Sequence, residues 1–464
     1  MNDVIDLGDK KVLVVGLGAS GLAAARLLAD EGARVVVNDS REASALGDRL
    51  DALPAGVELA LGGHDPALFR RVDLIVLSPG VPPLPALDAA DAVGVPVWSE
   101  VELASRVLHG DLVAVTGTNG KSTVTSLLGA IFEAAADGRP GFLGGNLGTP
   151  LTEAVRTAAA GPEGRVALEV SSFQLERVDR FRPDVAVLTN LAEDHLDRYP
   201  SMAAYAAAKG RIFGAQRRED HAVVPEGDAL AEGLAAAGAA AVHRFGGTRG
   251  AVHVEGEHIV GEGLRVPLSA LRLVGAHNHL NACCAALAAR LAGLGTSAIA
   301  AGLAAFTGLP HRMAFVAELD GVRFYDDSKA TNVGAAVAAL RGFAGDPSFR
   351  GEVVLLAGGK DKGGSYAPLR EALGGVRAVV TLGEAAGRIE EALAFEPTVR
   401  AGGDDPFADA VAKARELARP GDAVLLAPAC SSFDMFRSYV ARGLRFQELV
   451  RAMALETHSG EVMP

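Results

Sequence analysis

A strand, a glycine-rich turn and a lysine follow one another in Val113-Ala-Val-Thr-Gly-Thr-Asn-Gly-Lys-Ser-Thr123. Glycines let the backbone wrap closely around phosphate oxygens, and the N-terminus of a following helix adds N–H donors and a favourable dipole. In such a loop Lys121 would reach the β- and γ-phosphates of a nucleotide, and Ser122 would offer its hydroxyl to Mg²⁺. Val115 stands where the usual pattern has its first glycine, so an ordinary turn with a surface lysine remains the alternative.

Polar groups that suit a magnesium site follow two apolar strands. Glu169 comes near the end of Arg165-Val-Ala-Leu-Glu-Val170, and Asn190-Leu-Ala-Glu-Asp-His195 follows the next strand. Mg²⁺ prefers hard oxygen ligands such as carboxylates. We therefore predict that Glu169 holds metal beside the phosphate loop. For His195, a residue that only caps a solvated turn is an equally good interpretation.

A second glycine-rich turn, Gly16-Leu-Gly-Ala-Ser-Gly21, lies between an apolar strand and a helical pattern, and Asp39 ends the next strand. This arrangement is typical of dinucleotide-binding folds, in which a diphosphate lies at the start of the helix. The motif indicates a diphosphate without identifying the nucleotide. An NAD-dependent dehydrogenase, a UDP-sugar site with Asp39 at the uridine, and a purely structural tight turn all remain open.

Short apolar runs alternate with amphipathic helical stretches along the chain, which predicts an α/β fold with parallel, doubly wound sheets. The predicted strands are Val12–Val15, Val35–Val37, Leu74–Leu77, Val95–Trp98, Leu112–Val115, Val166–Val170, Val185–Leu188, Val322–Tyr325, Val353–Leu356, Ala378–Thr381 and Ala423–Leu426. The Ala- and Gly-rich stretch from Ala231 to Val242 is predicted to be helix and loop. We place boundaries near residues 106 and 308, which gives domains of residues 1–106, 107–308 and 309–464.

Composition excludes several classes of protein. The 464 residues include 44 basic and 57 acidic side chains, and the resulting charge of −13 argues against a general nucleic-acid binder. The three cysteines have no spacing typical of disulfide frameworks or zinc sites. There is no run of about 18 apolar residues and no apolar stretch of a signal peptide, so we expect a cytoplasmic protein without a membrane span.

Together these motifs resemble the Mur ligase family, and the resemblance covers nearly the whole chain. Thr116-Gly-Thr-Asn-Gly-Lys-Ser-Thr123 matches the family's phosphate loop, including the missing first glycine, and His277–Asn281 and Gly308–Arg312 match its other ATP-contacting segments. The resemblance implies three domains. They are a Rossmann-like N-terminal domain for UDP, a central P-loop ATPase-like α/β domain for ATP, and a Rossmann-like C-terminal domain for an amino acid.

Four further strings are most similar to the family members that add D-glutamate to UDP-N-acetylmuramoyl-L-alanine in peptidoglycan precursor synthesis. They are Glu169–Glu176, Asn190–Tyr199, Asp326–Asn332 and Cys430–Phe436. The resemblance implies that ATP activates the alanine carboxylate as an acyl phosphate, which the amine of D-glutamate then attacks. It also implies Mg²⁺ as the metal, and we expect a monomer.

The resemblance assigns a role to each matched position. The uridine diphosphate part would be held by Ser20, Asp39, Ser40, Ser78 and Gly80, and the muramoyl-alanine arm by Asn146 and His195. ATP would be contacted by Gly117, Thr118, Asn119, Gly120, Lys121, Ser122, Thr123, Asn281, Arg312 and Asp327. D-Glutamate would be held by Lys329, Thr331, Lys362, Ser432 and Tyr439. Metal would be held by Ser122, Glu169, His195 and Lys209.

Lys209 carries the most specific implication, because the matching lysine of the family is carbamylated by carbon dioxide and then binds metal together with the histidine matching His195. With Lys121, these two residues would form the catalytic set. A surface lysine on a basic helix face beside Arg211 is the alternative that composition alone favours.

Three rival functions differ in the motifs that they use. A nicotinamide dehydrogenase would leave the second glycine loop unused, and a non-enzymatic P-loop switch would need neither Gly16–Gly21 nor Asp326–Asn332. A folylpolyglutamate synthase lacks an N-terminal domain like residues 1–106.

Overall fold

The computed structural model describes residues 6–195, 198–273, 275–345 and 349–459. The chain divides into two compact units. One comprises Met1–Leu191, Ala203–Ala270 and Leu280–Phe306, and the other comprises Ala192–Met202, Leu271–His279 and Thr307–Pro464. Among the helices in the described ranges, none combines the length and hydrophobicity needed to cross a membrane.

The first sheet is parallel and has the order β3-β2-β1-β4-β5. Its strands are β1 Lys11–Val15, β2 Arg34–Asp39, β3 Glu58–Leu61, β4 Leu74–Leu77 and β5 Val97–Ser99. Its helices are α1 Ala19–Asp30, α2 Ala43–Leu46, α3 Asp48–Asp51, α4 Pro66–Phe69, α5 Pro85–Asp91 and α6 Glu100–Ser105. The strand order reverses at β1, and ligands of such sheets bind at the carboxyl end of the strands at this switch point.

The second sheet is also parallel, with the order β11-β10-β9-β6-β8-β7. Its strands are β6 Asp111–Thr116, β7 Gly141–Gly145, β8 Arg165–Glu169, β9 Val185–Leu188, β10 His221–Pro225 and β11 Ala241–Phe245. A small antiparallel sheet contains β12 His253–Glu255, β13 His258–Gly261 and β14 Leu264–Pro267. The helices of this part are α7 Lys121–Ala134, α8 Leu151–Ala154, α9 Ser172–Leu175, α10 Met202–Gly210, α11 Ala229–Ala236, α12 Ala276–Leu291 and α13 Thr296–Ala305.

The third sheet has the order β15-β16-β20-β17-β18-β19 and is parallel except for β15, which pairs antiparallel with β16. Its strands are β15 Ala314–Leu319, β16 Val322–Asp326, β17 Val353–Gly358, β18 Val376–Leu382, β19 Thr398–Arg400 and β20 Ala423–Leu426. Its helices are α14 Val333–Ala344, α15 Ala367–Glu371, α16 Ala386–Leu393, α17 Pro406–Leu417 and α18 Tyr439–Ser459.

The central strands of the three large sheets are buried on both faces, as their continuous apolar runs predict. In β1, Val12 and Val14 belong to one apolar cluster, whereas Leu13 and Val15 belong to another. Successive side chains of a strand point to opposite faces, so each strand contributes to two cores. The carboxyl ends of the strands are thereby held rigidly beneath the loops that carry the candidate site.

The α/β class and the predicted parallel sheets are confirmed, but several local predictions are wrong. The strand predicted at Val95–Trp98 lies at Val97–Ser99 instead. The stretch predicted as helix and loop ends inside a strand, since β11 begins at Ala241. The third sheet is mixed, because its first strand forms a hairpin through Asp320 and Gly321, with φ of 48° and 75°. This first strand was not among the predicted strands, and only Leu319 of its six residues is buried.

Candidate functional site

A cavity of about 460 Å³ lies at the switch point of the first sheet. Its wall includes all five residues predicted to hold uridine diphosphate, namely Ser20, Asp39, Ser40, Ser78 and Gly80. Asn146 and His195, predicted to lie along the muramoyl-alanine arm, are not part of this wall. The cavity also includes Arg41, Arg49 and His64, which the sequence analysis did not select.

The first glycine loop has a backbone that only glycine permits. Gly16 has φ of 88°, and a Cβ on Gly21 would lie 1.9 Å from the Gly16 carbonyl oxygen. The Ser78 hydroxyl donates a hydrogen bond to that same oxygen over 2.7 Å. The loop is therefore tight, and it runs directly into α1, whose first N–H groups have no partner within the helix.

Asp39 uses both carboxylate oxygens within the protein. Oδ1 accepts from the Arg41 backbone N at 3.0 Å and from Arg41 Nε at 2.8 Å, and Oδ2 accepts from Leu17 N at 2.8 Å and from Arg41 Nη2 at 2.7 Å. The Arg41 guanidinium holds the pKa of this carboxyl well below its usual range, although burial opposes the shift. Asp39 therefore orients Arg41 as a fixed positive charge on the cavity wall.

The second glycine loop lies between β6 and α7, as predicted. Gly117 has φ of 139° and Gly120 has φ of 82°. Lys121 Nζ donates to the carbonyl oxygens of Gly117 at 2.9 Å and Thr118 at 2.8 Å, and Ser122 is 1% exposed at the start of α7. Lys121 thus lies directly over the loop, where a lysine can neutralise phosphate charge.

Two residues after β9 hold this loop in shape, and the sequence analysis did not assign them a role. The Thr189 hydroxyl donates to Asn119 O at 2.6 Å. Asn190 Nδ2 donates to the same oxygen at 2.9 Å, and Asn190 Oδ1 accepts from Asn119 N at 2.9 Å. The signal for this role in the sequence was their position directly after an apolar strand. In the structure this strand, β9, lies next to β6.

Lys209 is 1% exposed, so the prediction of a surface lysine from composition alone is wrong. Its Nζ donates to Gly117 O at 2.8 Å and lies 4.5 Å from the centre of the Tyr205 ring. The Tyr205 hydroxyl is 3.3 Å from Thr118 Oγ1. Helix α10 therefore brings its lysine to the same carbonyl oxygen that Lys121 contacts.

The predicted metal ligands of this unit suit Mg²⁺. Glu169 is 2% exposed at the end of β8, where it pairs in register with Val115 just before the phosphate loop. Its Oε1 accepts a hydrogen bond from Asn146 Nδ2 at 2.7 Å. In the described ranges no three His, Cys, Asp or Glu side chains cluster as a metal site. A carboxylate and a hydroxyl beside a phosphate loop nevertheless match the hard oxygen ligands of Mg²⁺.

The remaining ATP candidates lie in both units. In the first unit, Asn281 reaches the phosphate loop, since a Cβ on Gly120 would lie 2.4 Å from Asn281 Oδ1. In the second unit, Asp327 Oδ1 accepts from Met313 N at 3.3 Å. Burial raises the pKa of Asp327 to about 7, and the nearby charge of Arg312 opposes this shift.

Four of the predicted D-glutamate residues lie on segments that one buried arginine holds together. Lys329 Nζ lies 5.1 Å from the centre of the Tyr439 ring, and Thr331 N donates to Lys329 O. Arg442, which is 1% exposed, donates to Ser328 O at 2.8 Å and to the carbonyl oxygens of the segment that precedes Ser432. Burial lowers the pKa of Arg442 to about 10.

Ser432 lies in a turn that precedes helix α18. Helix α18 begins only at Tyr439, and Ser432 O instead accepts from Met435 N and Phe436 N in a turn. Arg442 was missed because the sequence shows only an arginine in a helix. Its contacts to Ser328 span 114 residues.

Lys362 lies in a different group within the second unit. Its Nζ is 3.1 Å from Asp194 Oδ1, and Asn332 Nδ2 donates to Asp194 Oδ2 at 3.0 Å. Although burial opposes ionisation, Lys362 keeps the pKa of Asp194 below its usual range. With His195, these residues line a cavity of about 230 Å³. His195 has φ of 54°, a conformation uncommon outside glycine.

Family models match three successive parts of the chain. Residues 10–99 match the MurD-like N-terminal domain of Mur ligases, residues 115–289 match the Mur ligase middle domain, and residues 311–430 match the Mur ligase glutamate ligase domain. Together these matches include both glycine loops and the loop that carries Lys329.

Full-length relatives agree with these matches. A UDP-N-acetylmuramoylalanine–D-glutamate ligase of Anaeromyxobacter dehalogenans is 47% identical, with 97% of this chain and 99% of the relative covered. The ligase of the same description from Myxococcus xanthus is 46% identical, with 96% and 99% covered.

Solved structures show the same fold. A pseudomurein peptide ligase type C from Methanothermus fervidus superposes with a TM-score of 0.62 at 18% identity, covering 96% of this chain and 100% of that structure. UDP-N-acetylmuramate-alanine ligase MurC from Thermotoga maritima superposes with a TM-score of 0.60 at 18% identity, covering 96% and 100%. With three family domains matched in order and relatives similar over almost the entire length, the chain belongs to the Mur ligase family.

Proposed function

We propose that this chain is an ATP-dependent ligase that adds D-glutamate to UDP-N-acetylmuramoyl-L-alanine and releases ADP and phosphate in peptidoglycan precursor synthesis. The observation that carries the proposal is the pair of glycine loops on two sheets of one unit; among the described residues, lysines lie against the second of these loops. The names of the full-length relatives support the choice of substrates.

The first chemical step joins two anions, because the alanine carboxylate attacks the γ-phosphorus of ATP. Catalysis of such a step depends on neutralising charge and fixing positions. Lys121 supplies the positive charge at the transferring phosphoryl group, and the N–H groups at the start of α7 supply further donors. The product of this step is an acyl phosphate and ADP.

In the second step the amine of D-glutamate attacks the acyl carbonyl, and phosphate leaves from a tetrahedral intermediate. Lys329 and Lys362 are suited to hold the two carboxylates of D-glutamate, and Thr331, Ser432 and Tyr439 complete the set. The charge of Lys362 and the fixed position of Lys329 over Tyr439 support this role. Arg442 keeps the two loops of this site in place.

Mg²⁺ would be held by Ser122 and Glu169, and it would neutralise charge on the ATP phosphates. We further propose that Lys209 is carbamylated. Its amine would add to carbon dioxide and lose a proton, and the resulting carbamate would offer a carboxylate oxygen to a second Mg²⁺, for which His195 is the other proposed ligand. Burial of Lys209 supports this, since burial disfavours an ammonium ion.

The division into domains at residues 106 and 308 remains part of the proposal, with UDP, ATP and the amino acid bound by successive domains. We also propose that the protein acts as a monomer in the cytoplasm, where ATP is supplied.

The test is phosphate release from ATP by the purified full chain with Mg²⁺ and UDP-N-acetylmuramoyl-L-alanine, with one amino acid added at a time. We expect release with D-glutamate and only background with L-glutamate, L-alanine, L-lysine and diaminopimelate. Release with another of these amino acids would overturn the proposed specificity. Tight binding of NAD without ligation would instead favour a dehydrogenase.

A further inference from the structure

His64 lies on the wall of the switch-point cavity, next to the residues predicted to hold uridine diphosphate. It is half-buried, and its ring meets the buried Phe69 ring edge-on, with centres 6.1 Å apart. Its Nδ1 lies 2.6 Å from Asn38 Oδ1. The ring is therefore held in one orientation, and Nε2 is the nitrogen that remains to face a ligand.

Asn38 determines which nitrogen of His64 carries the proton. The Asn38 Nδ2 group donates to Ala60 O at 2.6 Å and to Gly63 O at 2.7 Å, so both of its hydrogens are used. A reversed amide would set its oxygen against two carbonyl oxygens. Asn38 Oδ1 must therefore accept from an Nδ1–H of His64, and in the neutral ring Nε2 is then an acceptor.

The nearby carboxylate cannot easily serve the same purpose. A carboxylate has about four acceptor positions, and those of Asp39 are taken by Leu17 and Arg41. The cavity thus offers arginines for phosphate groups and one oriented acceptor nitrogen for a donor. The base of UDP has a single N–H donor, at N3, whereas N3 of cytosine is itself an acceptor.

We propose that His64 Nε2 accepts a hydrogen bond from N3–H of the uracil base, and that His64 therefore determines the preference of this ligase for a uridine nucleotide. This inference rests on the proposed function, because it requires that UDP binds in this cavity.

The test compares the binding of UDP, 3-methyl-UDP and CDP by calorimetry to the full chain and to His64→Phe, which keeps a ring against Phe69. We expect the native protein to bind UDP about tenfold more tightly than 3-methyl-UDP or CDP, the size expected of one buried hydrogen bond. His64→Phe should bind all three equally and as weakly as the native protein binds 3-methyl-UDP. His64→Leu, whose side chain has no acceptor atom, serves as the second variant if His64→Phe does not fold, with the same loss expected.

The exposed His109, on another cavity of the same unit, provides the matched control, and His109→Phe should keep the native preference. An undiminished preference for UDP in the His64 variants would overturn the inference and leave the proposed function intact. So would a native protein that does not distinguish UDP from 3-methyl-UDP. No UDP binding by the native protein would instead count against the proposed function itself.

Discussion

The two glycine loops of the first unit look alike in sequence but differ in how they obtain positive charge. The Gly16–Gly21 loop has no lysine, and its cavity receives charge from Arg41, which Asp39 holds on the neighbouring strand. The Gly117–Gly120 loop has the ammonium group of Lys121 on the Gly117 carbonyl oxygen, and the side-chain nitrogen of the buried Lys209 contacts the same oxygen. A fixed arginine suits a phosphate group that is only bound, whereas a lysine against the loop suits a phosphoryl group that is transferred.

The largest effect should come from Lys121→Ala, which removes charge at the transferring phosphoryl group. We expect kcat to fall roughly 100- to 1,000-fold, as for the loss of one group that stabilises a transition state. The affinity for the UDP substrate should not change. The measurement is steady-state phosphate release, with Lys413→Ala as a matched lysine control that retains full activity. Native turnover by a folded Lys121→Ala protein would remove the assignment of the phosphate loop.

Lys209 tests whether the second lysine acts as a ligand or only as a charge. Lys209→Ala should lose most of its activity, and formate or acetate should restore part of it by supplying a carboxylate in the vacant space. Lys209→Arg should remain inactive because it keeps the charge but cannot be carbamylated. Formate should not rescue Lys121→Ala. Ligation at the native rate by Lys209→Arg would show that the carbamate is not needed.

Substitutions at the Gly16–Gly21 loop should have a different effect, because this loop binds a phosphate group that is not transferred. Asp39→Ala releases Arg41 and should raise KM for the UDP substrate roughly 10- to 100-fold, with kcat and KM for ATP unchanged. Arg41→Ala should have a similar effect, and the double variant should be no worse than either single one, since the two act as a pair. Initial rates, measured while the concentrations of the UDP substrate and ATP are varied, give these KM and kcat values. Exposed Arg70 provides the control.

The features of these loops that could be predicted from the sequence depend on residues close together in the chain. The glycines, Lys121, Ser122 and the strand Leu74–Leu77 were predictable because turn geometry and apolar runs are encoded in neighbouring residues. The bond from Lys209 to Gly117 spans 92 residues and depends on how α10 packs. Without that packing, Lys209 and Arg211 give only a basic helix end, and the family resemblance was needed to select the lysine.

The residues that support each loop were not predictable for the same reason. Asn38 and His64 are 26 residues apart, and Asn190 and Asn119 are 71 apart. Side-chain amides and imidazoles are common on loops, and only the folded sheet shows that these ones meet. The mixed third sheet was missed because its antiparallel strand β15, which lies at the edge of the sheet with only Leu319 buried, was not predicted as a strand.

The smallest effect on activity should come from Glu100, in α6 between the two loop-bearing sheets. Its Oε1 accepts from Thr152 N and from the Thr152 hydroxyl, and burial raises the pKa of Glu100 to about 7 in spite of these bonds.

A raised carboxyl pKa means that the folded state keeps a proton that the unfolded state has lost. This contribution to stability is present below the unfolded pKa of 4.5 and is lost as pH rises to about 7. Glu100→Gln should therefore reduce this pH-dependent loss in the free energy of unfolding by up to roughly 3 kcal/mol, with kcat unchanged. Urea unfolding from pH 4.5 to 8 measures it. An unchanged pH slope would mean that Glu100 ionises normally.

The claim that the second loop transfers a phosphoryl group to the substrate carboxylate can be tested with oxygen isotopes. UDP-N-acetylmuramoyl-L-alanine labelled with ¹⁸O in both alanine carboxylate oxygens is converted with D-glutamate and ATP, and the phosphate is analysed by mass spectrometry. We expect one ¹⁸O atom in each phosphate released, and one in the new amide carbonyl. Unlabelled phosphate formed together with the product would contradict it, because the carboxylate would then not have attacked ATP.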